Sequence, residues 1–151
     1  MDWYGFIRKY VWNDEKTPYF VPVAKLSRTQ ARNEIFTYSV LLGAFFLIIG
    51  LLALLGVGFL AGSFGVAAYA FALCSSAIAL GVTRHHAAAV ICATGPPALL
   101  AYLLVNGFPP ELHLLDKALI AAVALLLGLY AFRVVAIAKA YPDLPDRKPV
   151  G

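Results

Sequence analysis

Residues 35–83 read IFTYSVLLGAFFLIIGLLALLGVGFLAGSFGVAAYAFALCSSAIALGVT, and no Asp, Glu, Lys or Arg interrupts them. A helix needs about 20 apolar residues to cross the hydrocarbon core of a bilayer. The run is long enough for two crossings and a turn. Glycine is densest from Gly56-Val57-Gly58 to Gly62-Ser63-Phe64-Gly65, so the turn is placed there. Span one is drawn at 35–59 and span two at 64–83.

The rest of the chain continues the pattern. Arg84-His85-His86 is a short polar break, and 87–106 is a third uncharged span. Gly107-Phe108-Pro109-Pro110-Glu111 ends it, because consecutive prolines cannot continue a helix. Leu112 to Asp116 is read as a short amphipathic connector, and 118–138 as the fourth span, closed by Tyr141-Pro142. The composition agrees: of 151 residues, 62% are hydrophobic and 13% charged, whereas soluble domains carry about 25% charged residues. The expected fold is all-α, an integral membrane antiparallel four-helix bundle over 35–138. It is preceded by a cytoplasmic or interfacial segment over 1–34 and followed by a cytoplasmic extended tail over 139–151.

Four spans put both termini on one side. The N-terminal segment, the Arg84 loop and the C-terminal tail then share a side that holds every basic residue except Lys117. Lys and Arg accumulate in cytoplasmic loops, so this asymmetry predicts N-in and C-in. No secretory signal peptide is visible before Ile35, and insertion is expected to be directed by span one itself. The chain is expected in a bacterial inner membrane.

Residues 2–12 place Trp3, Phe6, Ile7, Tyr10 and Val11 at helical spacing, with Asp2, Gly5, Arg8 and Lys9 on or beside the other face. A short basic amphipathic helix with Trp and Tyr suits the bilayer interface, and a partner protein is the second reading. Trp12, Tyr19 and Phe20 add to this aromatic segment, so Trp3, Phe6, Ile7, Tyr10, Trp12, Tyr19 and Phe20 are the candidate partner contacts. The strip from Thr17 to Val23, with Pro18 and Pro22, should be extended and must lie against the bundle, headgroups or a neighbour. Ser27-Arg28-Thr29-Gln30 has the capping-box form, which starts the helix of span one near Arg28.

Membrane helices associate through close packing of small residues. Each span offers a seam: Ser39, Gly43, Gly50 and Ala53 in span one; Gly65, Ala68, Ala72, Ser75 and Ala79 in span two; Ala88, Cys92 and Gly95 in span three; Ala121, Ala124, Gly128 and Ala131 in span four. Some of these seams can also face a partner. Gly95-Pro96-Pro97 in the middle of span three predicts a kink, with carbonyls near Cys92 and Ala93 deprived of donors. Thr94, Ser75 or Ser76 is expected to compensate. A static kink is the first reading, and a broken helix lining a solute path is the second.

Signals for chemistry are sparse. No span as drawn contains Asp or Glu, which argues against a proton- or cation-coupled transporter. Arg133, near the end of span four, is therefore read as snorkelling to headgroups. Arg84, His85 and His86 are read as headgroup contacts as well. His85 and His86 lie on the opposite side from His113, too far apart to ligate one haem. Cys74 and Cys92 have no zinc-ligand or redox spacing and are read as packing residues. No nucleophile–base set, phosphate loop or nucleic-acid surface can be placed. No cofactor, metal or catalytic residue is expected, and Asp143 and Asp146 are read as solvated charges in a free tail.

Three functions follow in order. The first is a non-catalytic accessory, anchoring or assembly subunit of a larger membrane complex (respiratory, transport or envelope machinery), contacting lipid and other subunits or copies of itself. The second is a small oligomeric carrier or channel using the kinked third span. The third is an enzyme acting on lipid or quinone through Arg84, His85 and His86.

Overall fold

The computed structural model describes residues 21–57 and 63–146. Among them 83% are helical and none is in a strand. Four helical stretches, Arg28–Leu55, Phe64–Thr83, His86–Asn106 and Leu114–Asp143, are long and apolar enough to cross a membrane. The chain is thus an integral membrane protein by length and composition. The candidate contacts Trp3, Phe6, Ile7, Tyr10, Trp12, Tyr19 and Phe20 lie outside the described residues, as do Gly58 to Gly62 of the first turn.

Helix α1 spans Arg28–Leu55 and begins with a capping box. Ser27 Oγ accepts from the Gln30 amide at 3.3 Å, and Gln30 Oε1 accepts from the Ser27 amide at 3.0 Å. Two amides that would otherwise be orphaned inside a buried helix start are satisfied this way. The helix ends at Gly56, whose φ of 69° is left-handed, a conformation glycine adopts without a Cβ penalty. Helix α2, Phe64–Thr83, is capped by Ser63 and ends at Arg84. Span three is two helices, α3 (His86–Ala93) and α4 (Gly95–Asn106), separated at Thr94. Helix α5 covers Leu114–Ala140 and runs into a 3-10 turn at Tyr141–Asp143. The connector expected at Leu112 to Asp116 is shorter than drawn, because His113 already serves as the N-cap of α5.

The most extensive contact is between α1 and α2. A Cβ on Gly43 would sit 3.4 Å from Ala77 Cβ, one on Gly50 3.4 Å from Ala70 Cβ, and one on Gly81 3.3 Å from Ser39 Cβ. The seam drawn on span one is the buried one: Ser39, Gly43, Gly50 and Ala53 are all inside. Span two is different. Its buried face is Ala67, Ala70, Leu73, Ala77 and Leu80, while Gly65, Ala68, Ala72, Ser75 and Ala79 all face outward. Both stripes have helical spacing, so periodicity does not choose between them. The glycines of α1 already provide the close approach, and they are best filled by methyl groups and by leucine. In span three Cys92 and Gly95 are buried, and in α5 Ala124 and Ala131 are.

Core residues gather at the end of the molecule where α1 begins and α5 finishes. Leu26, Ile35, Tyr38, Leu80, Val134 and Ile137 are each almost fully buried there. Val21 and Val23 pack against the same cluster, so the proline-flanked strip, over its described part, lies on the protein's own core.

Candidate functional site

Polar chemistry within the helices concentrates at that same end. Glu34 lies on the core-facing stripe of α1, in register with Ala31, Tyr38 and Leu42, and none of its surface is exposed. Arg133 of α5 meets it with two hydrogen bonds: Nη2 donates to Oε1 at 2.9 Å and Nε donates to Oε2 at 3.2 Å. The Arg133 side chain is 20% exposed. The expectation that Arg133 snorkels free to headgroups is therefore corrected. It rested on drawing span one from residue 35, which left Glu34 outside. The capping box starts the helix at Arg28, and that register turns Glu34 inward. A two-bonded guanidinium–carboxylate pair holds both geometry and charge, and in a low-dielectric site neither partner is tolerated alone.

Two tyrosines flank the pair. The rings of Tyr38 and Tyr130 stand 5.9 Å apart, centroid to centroid, tilted by 46°. The Tyr38 hydroxyl is buried and has no hydrogen-bond partner among the described residues. Between α1 and α5 runs a groove of about 370 Å³ lined by Glu34, Thr37, Tyr38, Leu41, Leu126, Leu127 and Tyr130.

A latch closes the outside of this region. Arg28 Nη1 pairs with Asp146 Oδ1 at 2.7 Å, and Nη2 donates to the Pro142 carbonyl at 3.0 Å. The Arg28 amide donates to the Pro145 carbonyl at 2.8 Å, and its guanidinium lies 6.0 Å from the centroid of the Tyr141 ring. Leu144 is 6% exposed. The tail is thus folded onto the start of α1 as far as Asp146, rather than free, and Asp146 is paired rather than only solvated. The physical reason is Leu144, an apolar side chain that a free tail would leave in water.

The kink has its own polar arrangement. Thr94 Oγ1 donates to the Ile91 carbonyl at 2.7 Å. With that proton committed, Tyr69 donates to Thr94 Oγ1 across 2.8 Å. The Thr94 hydroxyl thus goes to Ile91 and not to the Cys92 or Ala93 carbonyl it is expected to compensate, and Ser75 turns to its own Phe71 carbonyl at 2.9 Å. Gly95 is packed with no room: a Cβ there would meet Phe46 Cε2 at 2.8 Å and Leu73 Cδ1 at 3.0 Å. Pro96 is buried beside Gly128, and Pro97 faces outward. A second crevice, of about 170 Å³, opens between Phe46, Tyr69, Leu99 and Tyr102.

Arg84, His85 and His86 form the tight link from α2 to α3. Arg84 is the only non-glycine residue with positive φ among those described, at 54°. The His85 amide donates to Thr83 Oγ1 at 3.3 Å, and His85 Nδ1 accepts from the Ala87 amide at 3.3 Å. His85 is therefore an N-cap, a role the sequence reading missed; His86 is exposed. Among the described residues no group of three or more His, Cys, Asp or Glu side chains is placed to hold a metal ion. Cys74 and Cys92 are free thiols, the latter buried.

Glu34, Tyr38 and Tyr130 were not singled out from sequence. The signal was available for Glu34, which falls three and four residues from buried apolar neighbours once the capping box sets the helix start. No protein-family model, curated protein or solved structure matches this chain.

Proposed function

We propose that this protein is a non-catalytic polytopic membrane protein that serves as an accessory, anchoring or assembly subunit of a larger membrane complex. In this reading its four spans form an antiparallel bundle with both termini on the cytoplasmic side of a bacterial inner membrane. The antiparallel arrangement is supported by the order of contacts between α1 and α2, where Ser39, Gly43 and Gly50 meet Gly81, Ala77 and Ala70 in turn. The subunit reading is carried by one observation, the outward stripe Gly65, Ala68, Ala72, Ser75 and Ala79 on α2. In lipid, small residues along one helix face allow a second helix to approach closely, and that contact is a main source of helix association in membranes. The bundle itself does not use this stripe.

Purification from the native membrane in mild detergent, followed by a native gel and intact mass spectrometry, tests the reading. Partners at fixed ratio are expected. They should be lost in Ala68→Leu/Ala72→Leu, whose outward positions leave the bundle core intact. A band of this chain alone, as a monomer, sinks the proposal. A homo-oligomer moves weight to the second reading, a carrier or channel using the kinked span. The crevice beside Tyr69 favours that reading, and the close packing of Phe46 and Leu73 against Gly95 disfavours it.

A further inference from the structure

We propose that the surface at the start of α1 is a docking site for an extended protein segment in which leucine is followed by proline and aspartate, and that the chain's own tail occupies it as a displaceable strap. The natural source of such a segment is a neighbouring subunit, a step that rests on the subunit reading above. The contacts that define the site come from one short stretch of the tail, 142–146. Leu144 is buried and joins the apolar cluster that contains Leu26, Val134 and Ile137. The Pro145 carbonyl accepts from the Arg28 amide at 2.8 Å. The Asp146 carboxylate pairs with Arg28 Nη1 at 2.7 Å, and the Pro142 carbonyl accepts from Nη2 at 3.0 Å.

Arg28 is the recognition residue. It holds the first position of α1, where a helix leaves amides without an internal acceptor. The capping box satisfies the amides of Ser27 and Gln30, and the Arg28 amide goes to the tail instead. The guanidinium of the same residue then reads a carboxylate and a carbonyl on either side of Leu144. A main-chain hydrogen bond, an apolar socket and a cation for an acid are the means by which extended peptides are recognised. None of these contacts requires the peptide to be continuous with α5. The strap is also lightly held. Pro142, Asp143, Pro145 and Asp146 are exposed, and the prolines have no amide to donate. The Leu144 amide turns back to the Tyr141 carbonyl at 3.3 Å, and an exposed ion pair adds little. What favours the bound tail is its tether, which gives a short segment an effective concentration in the millimolar range. A partner anchored in the same membrane has a comparable advantage, and it displaces the strap when its own segment binds more tightly.

The test uses the full chain in phosphatidylcholine nanodiscs and a fluorescein-labelled peptide with the sequence of residues 141–146. Leu144→Ser/Asp146→Asn weakens the strap and leaves Arg28 in place. An anisotropy titration should show saturable binding to this variant, about tenfold tighter than to the parent protein, whose tethered tail competes at millimolar effective concentration. Arg28→Gln on the same background should weaken binding about fivefold, through the lost side-chain hydrogen bonds. A peptide with serine in place of the leucine should not bind. Thermal melts of each variant against the parent protein check that the fold is kept. If the double variant melts early, Asp146→Asn alone, at a side chain 79% exposed, carries the titration. The inference is overturned if the strap-weakened protein shows no saturable binding up to about 1 mM peptide, the limit of a weak recognition contact. It is equally overturned if the parent protein binds as tightly as the variant, or if the serine peptide binds as well as the leucine one. The titration needs no partner, so it and the purification that tests the subunit reading can each fail alone.

Discussion

Glu34 shows how much one residue's register decides. A carboxylate seven positions after Ser27 would be a harmless interfacial charge if it faced headgroups. Because α1 begins at Arg28, the same carboxylate faces the core and requires Arg133. Breaking such a pair from one side leaves an uncompensated charge in a low-dielectric site, whereas replacing both partners by apolar groups removes the desolvation cost together with the attraction. We expect Glu34→Leu and Arg133→Met each to lower stability by about 3 kcal/mol. The double variant Glu34→Leu/Arg133→Met should recover most of that loss. Thermal or denaturant unfolding in detergent measures the cycle. Simple additivity of the two single losses in the double variant would show that the two residues do not act as a pair. The Arg28–Asp146 bridge is a weaker case, since its side chains are 38% and 79% exposed and such surface pairs contribute little.

Among the elements, the broken third span is the one whose behaviour is least evident from composition. Pro96 and Pro97 lack the amides that would bond back to Cys92 and Ala93, so α3 and α4 cannot be one regular helix. The break is then locked from outside by Phe46, Leu73 and the Tyr69–Thr94 hydrogen bond. Gly95 is the position that permits this, because any side chain there collides with a buried ring. We expect Gly95→Ala to destabilise by about 1–3 kcal/mol, the usual cost of overpacking a filled core. Adding Phe46→Leu should restore part of the loss, as read by thermal unfolding. A neutral Gly95→Ala would mean that the Phe46 ring moves aside freely and that the kink is not clamped. The tail is a second element of this kind. A short turn at Tyr141–Asp143 and the buried Leu144 bring it back onto α1, a return that its charged and proline-rich sequence does not announce.

For the molecule as a whole, orientation is open to direct measurement. In a Cys74→Ala/Cys92→Ala background, a cysteine introduced at Glu111 should react with a membrane-impermeant maleimide in intact spheroplasts. One introduced at Asp143 should react only after permeabilisation. The reverse pattern would overturn the N-in, C-in proposal while leaving the helices untouched.

The number of long apolar helices and some of their ends were readable from local chemistry, although α1 extends back to Arg28 and stops at Leu55 and α5 begins at Leu114, away from the bounds that the uncharged runs suggest. An uncharged run from Ile35 to Thr83, a capping box at Ser27, a glycine at 56 and paired prolines at 96 and 109 each act over a turn or two, and each sits where the helices start, stop or break. The inward seams of α1 and α5 were readable for the same reason. Which face of α2 turns inward was not, because two stripes of equal period compete and only the glycines of α1 decide between them. The Glu34–Arg133 pair, the Tyr38 groove and the return of Leu144 were not readable either. They join residues about a hundred positions apart, and no local periodicity carries information about which distant helix supplies the partner. That choice is made by packing, when burying Glu34 in a low-dielectric core requires a cation and α5 is the helix that brings one.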